Sequence, residues 1–286
     1  MAKQVIGIIG GSGLYEFDGL ENVKEVKIET PFGLPSDAYM VGDYEDRTLA
    51  FLPRHGRGHR FSPSELNFLA NIHGFLQLGA KWVISVSAVG SMREDLPPGK
   101  MVLVDQFFDH TKGRDSTFYG NGVVGHVGFG DPICGHLSAE LAAAAESKNI
   151  SAEKGGTYIC IEGPQFSTRA ESEIYRKWGV DVIGMTNVPE AKLAREAGLC
   201  YATMAMVTDY DCWHEEEEDV TVAGVLETLK ENVEHAKQVI AAAAMRIPAE
   251  RSCGCLQAAR SAVMTPPESM NPETRKRLRW ILGEEK

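Results

Sequence analysis

Short apolar runs alternate along the chain with longer segments whose apolar residues recur at helical spacing. The β-branched run from Val5 to Ile9 stops at Gly10 and Gly11, which is typical of a buried strand that leads into a tight loop. Comparable runs predict strands at 48–52, 82–86, 101–104, 157–161, 180–183 and 199–207. Between them, the apolar periodicity predicts helices at about 62–79, 137–148, 168–179, 189–196 and 221–245.

Two of the predicted helices begin with capping signatures. Ser62 stands directly before Pro63 and three residues before Glu65, and apolar residues then follow at helical spacing. Thr168 and Glu171 have the same relation to the helix that ends near residue 179. These signatures predict helices that start immediately after Ser62 and Thr168.

Regular alternation of strands and helices predicts an α/β protein with a largely parallel or mixed sheet between helical layers. We find no repeat and no low-complexity linker, so the expectation is a single domain over residues 1–286. Four prolines, at 248, 266, 267 and 272, mark residues 248–286 as a C-terminal surface or interface segment that ends in a short basic helix.

Composition and charge narrow the classes of function. The chain is 43% hydrophobic and 24% charged, as in soluble globular proteins, and its formal net charge is −11. That balance argues against nucleic acid or an acidic membrane as a partner, because both attract clustered positive charge. We expect a cytoplasmic protein, since no segment has the apolar length of a membrane span or the pattern of a signal peptide.

The six cysteines are too few for a disulfide scaffold in a chain of this length. Four stand singly in apolar or aromatic surroundings that are typical of buried thiols: Cys134, Cys160, Cys200 and Cys212. Cys253 and Cys255 are the two that lie close in sequence.

The glycine loop after the first strand is a candidate anion site. Gly10 to Gly13 lacks the spacing of a dinucleotide fingerprint, and no lysine follows as in a P-loop. Backbone N–H groups and the Ser12 hydroxyl remain, and they suit a phosphate or another small anion. An ordinary tight turn explains the same residues.

A basic loop follows the strand at 48–52. Arg54, His55, Arg57, His59 and Arg60 concentrate positive charge in an otherwise acidic protein, which favours a bound oxyanion. The alternative is a solvated basic loop. A zinc pair at His55 and His59 is rejected, because the glycines between them disfavour the helix such a pair needs.

Three more strand ends carry polar or aromatic candidates. Ser87 and Ala88 belong to a small-residue segment that a ligand can approach closely, as a third anion contact or as a plain turn. Phe166 offers a face on which a base can stack. Met185 and Thr186 fit a sugar beside an anion, although methionine is also common in cores.

Two carboxylates close the set. Asp209 and Asp211 follow the strand at 199–207 and point to the same side of an extended chain. Such a pair accepts from an exocyclic amine and, if one member is kept protonated, donates to a ring nitrogen. Metal ligation or helix capping are the alternatives, and a hard cation wants more oxygen ligands than this segment offers.

Taken in order, these segments resemble the 5′-methylthioadenosine phosphorylases of the trimeric purine nucleoside phosphorylase superfamily. The resemblance spans about residues 5–245. Its motifs are GIIGGSGL at 7–14, TPFG at 30–33, PSD at 35–37, RHG at 54–56, NFLANI at 67–72, QFS at 165–167, RAES at 169–172, MT at 185–186, PE at 189–190 and TDYDCW at 208–213.

The resemblance implies a nucleoside phosphorylase-like fold with a central, mixed, twisted and partly barrel-like sheet flanked by helices. It also implies a homotrimer or a dimer of trimers that cleaves methylthioadenosine with phosphate to adenine and 5-methylthioribose-1-phosphate. Inorganic phosphate is then a co-substrate, and no cofactor or metal is required.

The resemblance also assigns roles to residues. Phosphate is bound by Ser12, Arg54, His55, Ser87, Ala88 and Thr186. The nucleoside is bound by Phe166, Ser167, Met185, Asp209 and Asp211, by His126 from a neighbouring subunit, and by the apolar residues Val222, Val225 and Leu226. Asp209 is the candidate acid for N7 of the base, and Asp211 either binds the 6-amino group or supports Asp209.

Two features depart from or extend the family pattern. Ser12 and Ser87 stand where animal enzymes often have threonine, so the hydroxyl is kept. Cys253-Gly254-Cys255 matches a pair that is oxidised in some heat-adapted microbial relatives, and here the reduced form is favoured in a cytoplasm.

Two alternative functions stay open at this point. A purine nucleoside or methylthioinosine phosphorylase would keep the fold and prefer 6-oxo purines, which an ionised carboxylate disfavours. A nucleoside- or phosphate-binding module without turnover would keep the loops and need no acid near N7.

Overall fold

A computed structural model describes residues 3–11, 13–214 and 222–284, with no side chains described for 222–227. Its strands are β1 (Gln4–Gly10), β2 (Glu21–Val26), β3 (Tyr39–Tyr44), β4 (Arg47–Pro53), β5 (Trp82–Ser91), β6 (Met101–Leu103), β7 (Gln106–His110), β8 (Ala152–Lys154), β9 (Thr157–Ile161), β10 (Val182–Gly184) and β11 (Cys200–Asp209). Its α-helices are α1 (Phe68–Gln77), α2 (Gly135–Ser147), α3 (Arg169–Lys177), α4 (Asn187–Glu196), α5 (Val222–Arg246), α6 (Cys255–Arg260), α7 (Pro272–Arg277) and α8 (Arg279–Leu282). Short 3₁₀ turns lie at Pro63–Glu65 and Pro267–Ser269.

Four parallel strands form the centre of the sheet. β4 pairs with β1, β1 with β5, and β5 with β11, all in parallel. Their burial is nearly complete, as expected for parallel strands covered on both faces. Because parallel strands end at the same edge, the loops that follow β1, β4, β5 and β11 gather there.

The rest of the sheet is mixed, as predicted. The far half of β5 pairs antiparallel with β10, which continues in parallel to β9 and β7. β11 pairs antiparallel with β6, which pairs with β8, so the sheet branches at β5. The branches do not meet, and the sheet is not closed as a barrel. The predicted mixed sheet flanked by helices is therefore confirmed without closure into a barrel, because β1 and β10 pair with different halves of β5.

Helices pack on this sheet through apolar faces. α2 and α5 contact each other and β11, while α4 contacts β11, α1 and α6. Large side chains with less than 2% exposure fill the core, among them Trp82, Phe75 and Tyr201. Burial of such side chains is the main stabilising contribution of the fold.

The helix predicted to start after Ser62 starts later. Glu65 accepts from the Ser62 backbone N–H at 2.9 Å, so the capping interaction forms, but it closes only one 3₁₀ turn. α1 begins at Phe68, where the Asn67 side chain accepts from the Ala70 N–H. Leu66 has an extended ψ of 126°, which interrupts the helix that apolar periodicity alone predicts.

Other boundaries agree closely with the sequence predictions. β9 spans the predicted residues, and α3 begins after Thr168 with the expected capping box to Glu171. The strands β2, β3, β7 and β8 were not predicted. Most residues of β2 and β7 are exposed or half-buried, so they lack the apolar signal of the central strands.

The C-terminal segment lies against the rest of the chain. Leu278 and Ile281 are buried, and α8 contacts α1. The segment also pairs with the loop at 124–126, where Gly125 forms a β-bridge to Val263. Within the described residues, no helix combines the length and apolarity needed to cross a bilayer.

Candidate functional site

The ends of β1, β4 and β5 bring the glycine loop and the basic loop together. Gly10 pairs with Pro53, and the Arg54 N–H donates to the Gly10 carbonyl at 2.8 Å. Ile9 pairs with Ser85 on the other side of β1. Two loops that are 40 residues apart in sequence are therefore neighbours at one edge of the sheet, as sequence reasoning expected for a shared anion site.

Arg54 is a buried cation rather than a surface one. It is 2% exposed, and its Nε and Nη2 lie 2.8 and 3.0 Å from the two carboxylate oxygens of Glu190. Nη2 also donates to Ser85 Oγ at 2.7 Å, and Nη1 donates to the Val86 carbonyl at 2.9 Å. This fork fixes the guanidinium in one orientation.

A second layer of hydrogen bonds holds Glu190. Ser85 Oγ and Tyr201 OH donate to Oε1 at 2.9 and 2.8 Å, and Asn187 Nδ2 donates to both hydroxyls. Burial alone would lower the pKa of Arg54, but the Glu190 carboxylate outweighs it and raises that pKa. Arg54 therefore stays charged, and one hydrogen of Nη1 has no acceptor among the described residues.

The other arginines of the basic loop have different partners. Arg57 Nη1 lies 2.5 Å from Glu25, and Arg60 Nη2 lies 3.5 Å from Asp37, in exposed or half-exposed positions. Of the three arginines in the basic loop, one is therefore buried, and Arg57 and Arg60 lie at the solvated surface. Arg54 carries the fixed charge at the strand ends.

His55 is partly buried beside Arg54. Its Nδ1 lies 2.8 Å from the Phe61 carbonyl, and its ring stacks on His59 with centroids 4.3 Å apart. Burial, with a smaller contribution from the charge of Arg54, lowers the pKa of His55 to about 4. The imidazole is neutral near neutral pH, with Nδ1–H donating to the carbonyl and Nε2 left as an acceptor.

Hydroxyl side chains of β5 and of the N-cap of α4 come together near the end of the sheet. Ser87 Oγ lies 3.3 Å from Thr186 Oγ1 and 3.2 Å from Tyr158 OH, although Ser87 and Thr186 are 99 positions apart. Every residue of β5 is buried except Ala88, which is exposed. The strand is thus accessible to solvent at Ala88, with two hydroxyls nearby.

The two aspartates meet through a turn. β11 ends at Asp209 after a register irregularity that follows Val207, and Asp211 adopts a left-handed φ of 54°. The Asp211 N–H then donates to Asp209 Oδ1 at 2.8 Å. The pair is convergent, as predicted, but the extended chain assumed for it is wrong, because a bulge and a turn create the convergence.

Neutral donors surround both carboxylates. Thr208 Oγ1 donates to Asp209 Oδ2 at 2.7 Å, and Ser172 Oγ donates to Asp211 Oδ2 at 2.5 Å. Burial raises the pKa of Asp209, and burial with the nearby Asp209 charge raises the pKa of Asp211 to about 6. Both carboxyls are therefore protonated more readily than exposed ones.

The loop after β9 approaches the aspartates. The Ser167 carbonyl accepts from Cys212 Sγ at 3.3 Å, and Ser167 Oγ is buried with no partner among the described groups. Phe166 is 51% exposed, which leaves an aromatic face open to solvent. The Met185 carbonyl accepts from Arg114 Nη1 at 2.7 Å, which ties β10 to the segment before α2.

The remaining predicted positions lie elsewhere. His126 is exposed, and its backbone N–H donates to the Ala262 carbonyl at 2.8 Å. Ser12 and the side chains of Val222, Val225 and Leu226 lie outside the described part of the chain.

Sequence reasoning missed the residues that support this site. Glu190 appeared only inside a motif, and Ser172 and Tyr158 were given no role. Arg114, which reaches four backbone carbonyls around β9 and α4, carried no signal in its local sequence. Each of these side chains contacts residues that are far away in the sequence. The one sequence signal for such a residue is a charged or polar side chain at a position where burial is expected.

Comparison with known proteins agrees with this geometry. Residues 5–245 match the model of the phosphorylase superfamily. The S-methyl-5′-thioadenosine phosphorylase of Geobacter sulfurreducens is 55% identical over 98% of this chain and 99% of its own length.

Solved structures give the same result. A methylthioadenosine phosphorylase from an Antarctic soil metagenomic library has 48% identity and a TM-score of 0.94, covering 99% of this chain and 100% of its own. The methylthioadenosine phosphorylase of Schistosoma mansoni in complex with adenine has 39% identity and a TM-score of 0.86, with 94% of this chain and 99% of that chain covered. The chain therefore belongs to the phosphorylase superfamily and, within it, to the family of S-methyl-5′-thioadenosine phosphorylases.

Proposed function

We propose that the protein cleaves 5′-methylthioadenosine with inorganic phosphate to adenine and 5-methylthioribose-1-phosphate. One observation carries the proposal: a single strand, β5, connects the anion site to the aspartate pair. Ser87 lies beside Thr186, and three residues later Gly90 pairs with Asp209. Three residues of strand span about 10 Å, which suits a nucleoside held between a phosphate and an acid.

Phosphate occupies the end around Arg54. The free Nη1 hydrogen of Arg54 and the hydroxyls of Ser87 and Thr186 donate to its oxygens, with the Ala88 backbone and Ser12 completing the shell. The fixed positive charge favours the dianion, which is the more nucleophilic form.

His55 orients the phosphate rather than neutralising it. Because Nδ1–H is taken by the Phe61 carbonyl, Nε2 accepts the hydroxyl hydrogen of a monohydrogen phosphate. The three oxygens without hydrogen then face the donors and the sugar carbon.

Bond cleavage follows from this placement. The C1′–N9 bond breaks as the sugar develops oxocarbenium character, and a phosphate oxygen forms the new bond to C1′. The phosphate charge stabilises the cationic sugar, so the protein needs no covalent intermediate and no cofactor.

The aspartates receive the leaving base. The electron pair of the broken C1′–N9 bond passes to N9 and the purine ring, protonated Asp209 donates its proton to N7, and ionised Asp211 accepts from the 6-amino group. Burial raises the pKa of Asp209, which favours the protonated form that this step needs.

Apolar groups hold the rest of the substrate. The exposed face of Phe166 stacks on adenine, Ser167 contributes its partnerless hydroxyl, and Met185 lies against the ribose. Val222, Val225 and Leu226 line the pocket for the methylthio group. His126 of the partner subunit closes that pocket in a cytoplasmic homotrimer or dimer of trimers.

Purine release tests the proposal. Methylthioadenosine, adenosine, methylthioinosine and inosine are each incubated with and without phosphate, and the free base is quantified. We expect phosphate-dependent release, fastest from methylthioadenosine. Release without phosphate would contradict the assignment of the Arg54 site, and preference for the 6-oxo substrates would contradict the roles of Asp209 and Asp211.

A further inference from the structure

Four cysteines form a cluster away from the proposed active site. Cys134 lies directly before α2, Cys200 begins β11, Cys255 begins α6, and Cys253 lies two residues before it. Their four Sγ atoms all lie within 4.8 Å of one another, and those of Cys200 and Cys253 are 3.2 Å apart. This corrects the expectation that Cys134 and Cys200 are isolated buried thiols.

The cluster is enclosed by protein. Cys134, Cys200 and Cys255 are 2%, 0% and 4% exposed, and Cys253 is half-buried. Within the described part of the chain, no other group of three or more Cys, His, Asp or Glu side chains lies close enough to share a metal ion.

We propose that these four cysteines bind one structural Zn²⁺ ion in a tetrahedral tetrathiolate site. A Zn–S bond of about 2.3 Å places tetrahedral sulfurs about 3.8 Å apart, which falls between the closest pair and the outer limit of this cluster. Four sulfur ligands and no free coordination position are typical of structural rather than catalytic zinc.

Positive groups next to the cluster suit such a centre. Four thiolates and one Zn²⁺ carry a net charge of −2, which needs compensation in a buried place. Arg195 Nη1 lies 3.5 Å from Cys255 Sγ. Cys134 occupies the N-cap of α2, where the first backbone N–H groups and the helix dipole favour negative charge.

Disulfides are the competing chemistry. A disulfide brings two sulfurs to about 2.05 Å and gives the remaining pair no reason to stay close. Here, every sulfur is near the other three, which is the arrangement that one shared central atom imposes. The sequence hid this set, because 66 positions separate Cys134 from Cys200 and 53 separate Cys200 from Cys253.

The site would fasten the C-terminal segment to the sheet. Just beyond α6, the Ala262 carbonyl accepts from the His126 N–H at 2.8 Å, and Thr265 Oγ1 accepts from the Val124 N–H at 2.8 Å. The segment held by the metal is therefore the support of the loop that carries His126. Metal loss is expected to loosen that loop as well as the chain end.

Metal content gives the first test. The full-length protein, purified without a histidine tag and dialysed against metal-free buffer, is measured by elemental mass spectrometry and native mass spectrometry. We expect about one zinc per chain and no mass loss from disulfides. A metal-free protein, or one two or four mass units lighter under non-reducing conditions, would overturn the proposal. Iron in the same stoichiometry would overturn the choice of zinc.

Cobalt provides an independent readout of geometry. The protein is unfolded with chelator and reductant and refolded with Co²⁺. A tetrathiolate site gives intense thiolate-to-metal absorption in the near ultraviolet and tetrahedral ligand-field bands in the visible. Absence of these bands in correctly refolded protein counts against the site.

Variants localise the metal. Cys253→Ser and Cys255→Ser are expected to lose most of the bound zinc and to melt at a lower temperature. Cys160→Ser is the control, because Cys160 is buried like Cys255 but lies outside the cluster, and serine can keep its hydrogen bond to the Val188 carbonyl. Zinc retained in both cluster variants, or lost equally in the control, is incompatible with the proposal.

Discussion

The two ends of the candidate site are built from opposite kinds of interaction. Around Arg54, a buried ion pair with Glu190 is fixed by hydroxyl and amide groups, and the raised pKa of Arg54 keeps the guanidinium charged. Around Asp209 and Asp211, the donors described above are neutral, and burial raises both pKa values. The end that must keep a constant charge is therefore held by an ion pair. The end that must transfer a proton has carboxyl groups whose protonation can change with pH.

Removal of the acid should have the largest effect on rate. Asp209→Asn keeps the shape of the side chain and one acceptor oxygen for the Asp211 N–H but has no proton to give N7, so kcat should fall about 10³-fold. Phosphate binding, measured as thermal protection, should be unchanged because it belongs to the other end.

Asp46→Asn, an exposed side chain beside Arg47, is the control for Asp209→Asn and should leave both quantities alone. If Asp209→Asn lowers phosphate protection as strongly as it lowers kcat, the two ends are not independent.

Loss of the Arg54–Glu190 ion pair should lower both the stability of the fold and the affinity for phosphate. Glu190→Gln leaves the Arg54 guanidinium buried without its counter-charge, which destabilises by about 3–5 kcal/mol and raises KM for phosphate about 10²-fold. Chemical denaturation and steady-state kinetics measure the two effects.

Glu196→Gln is the matched control for Glu190→Gln. Glu196 is also buried on α4, but its partners are Thr117 Oγ1 and the Phe118 N–H, and burial raises its pKa. A similar loss in both variants would show that burial, rather than the Arg54 charge, determines the cost.

As the pH falls, protonation of Asp211 should lower kcat/KM for methylthioadenosine but raise the stability of the fold. Its ionised form accepts from the 6-amino group, so kcat/KM for methylthioadenosine should fall below about pH 6. Asp211→Asn should remove this acid limb, lower kcat/KM for methylthioadenosine about 10-fold and reduce its preference over methylthioinosine.

Stability follows the same pKa. A folded-state pKa above the unfolded value gives stability that is full below the unfolded pKa and is lost as pH rises through about 6. Asp211→Asn should therefore raise the melting temperature by the equivalent of about 2 kcal/mol near pH 8, and by less near pH 4.5. An equal rise in melting temperature at both pH values would show that the stabilisation does not come from the ionisation of Asp211.

The smallest effect is expected at the stacking face. Phe166→Leu keeps an apolar side chain but loses the aromatic face, so KM for methylthioadenosine should rise about 5-fold with kcat little changed. Phe108→Leu, another exposed aromatic residue, is the control. A 5-fold fall in kcat instead would show that Phe166 stabilises the transition state rather than the bound substrate.

Sequence patterns predicted the centre of the molecule well and its supports poorly. The central strands and most helices carry strong apolar signals, so β9 and α3 were located almost residue by residue. β2 and β7 sit at the edges with little buried surface, and α1 starts late because Leu66 is extended. Edge pairing and local backbone geometry leave little trace in hydrophobic periodicity.

The candidate site follows the same division. Loops at strand ends gave Arg54, Ser87, Thr186 and Asp209, because small, charged and hydroxyl residues directly after an apolar run stand out in a sequence. Glu190 was not assigned, since its partner is 136 positions away. The cysteine cluster was missed for the same reason, although each of its members was noted.

The irregularity near the end of β11 has an evolutionary consequence. It follows Val207, beyond the part of the strand that is in register with Ser87 and Ala88, so the anion end is paired before the chain departs from regular geometry. The residues that contact the purine can therefore change while the paired strands at the phosphate end stay the same. A lineage could change the base it accepts by substitutions at 209 and 211 alone, without redesigning the machinery that delivers the nucleophile.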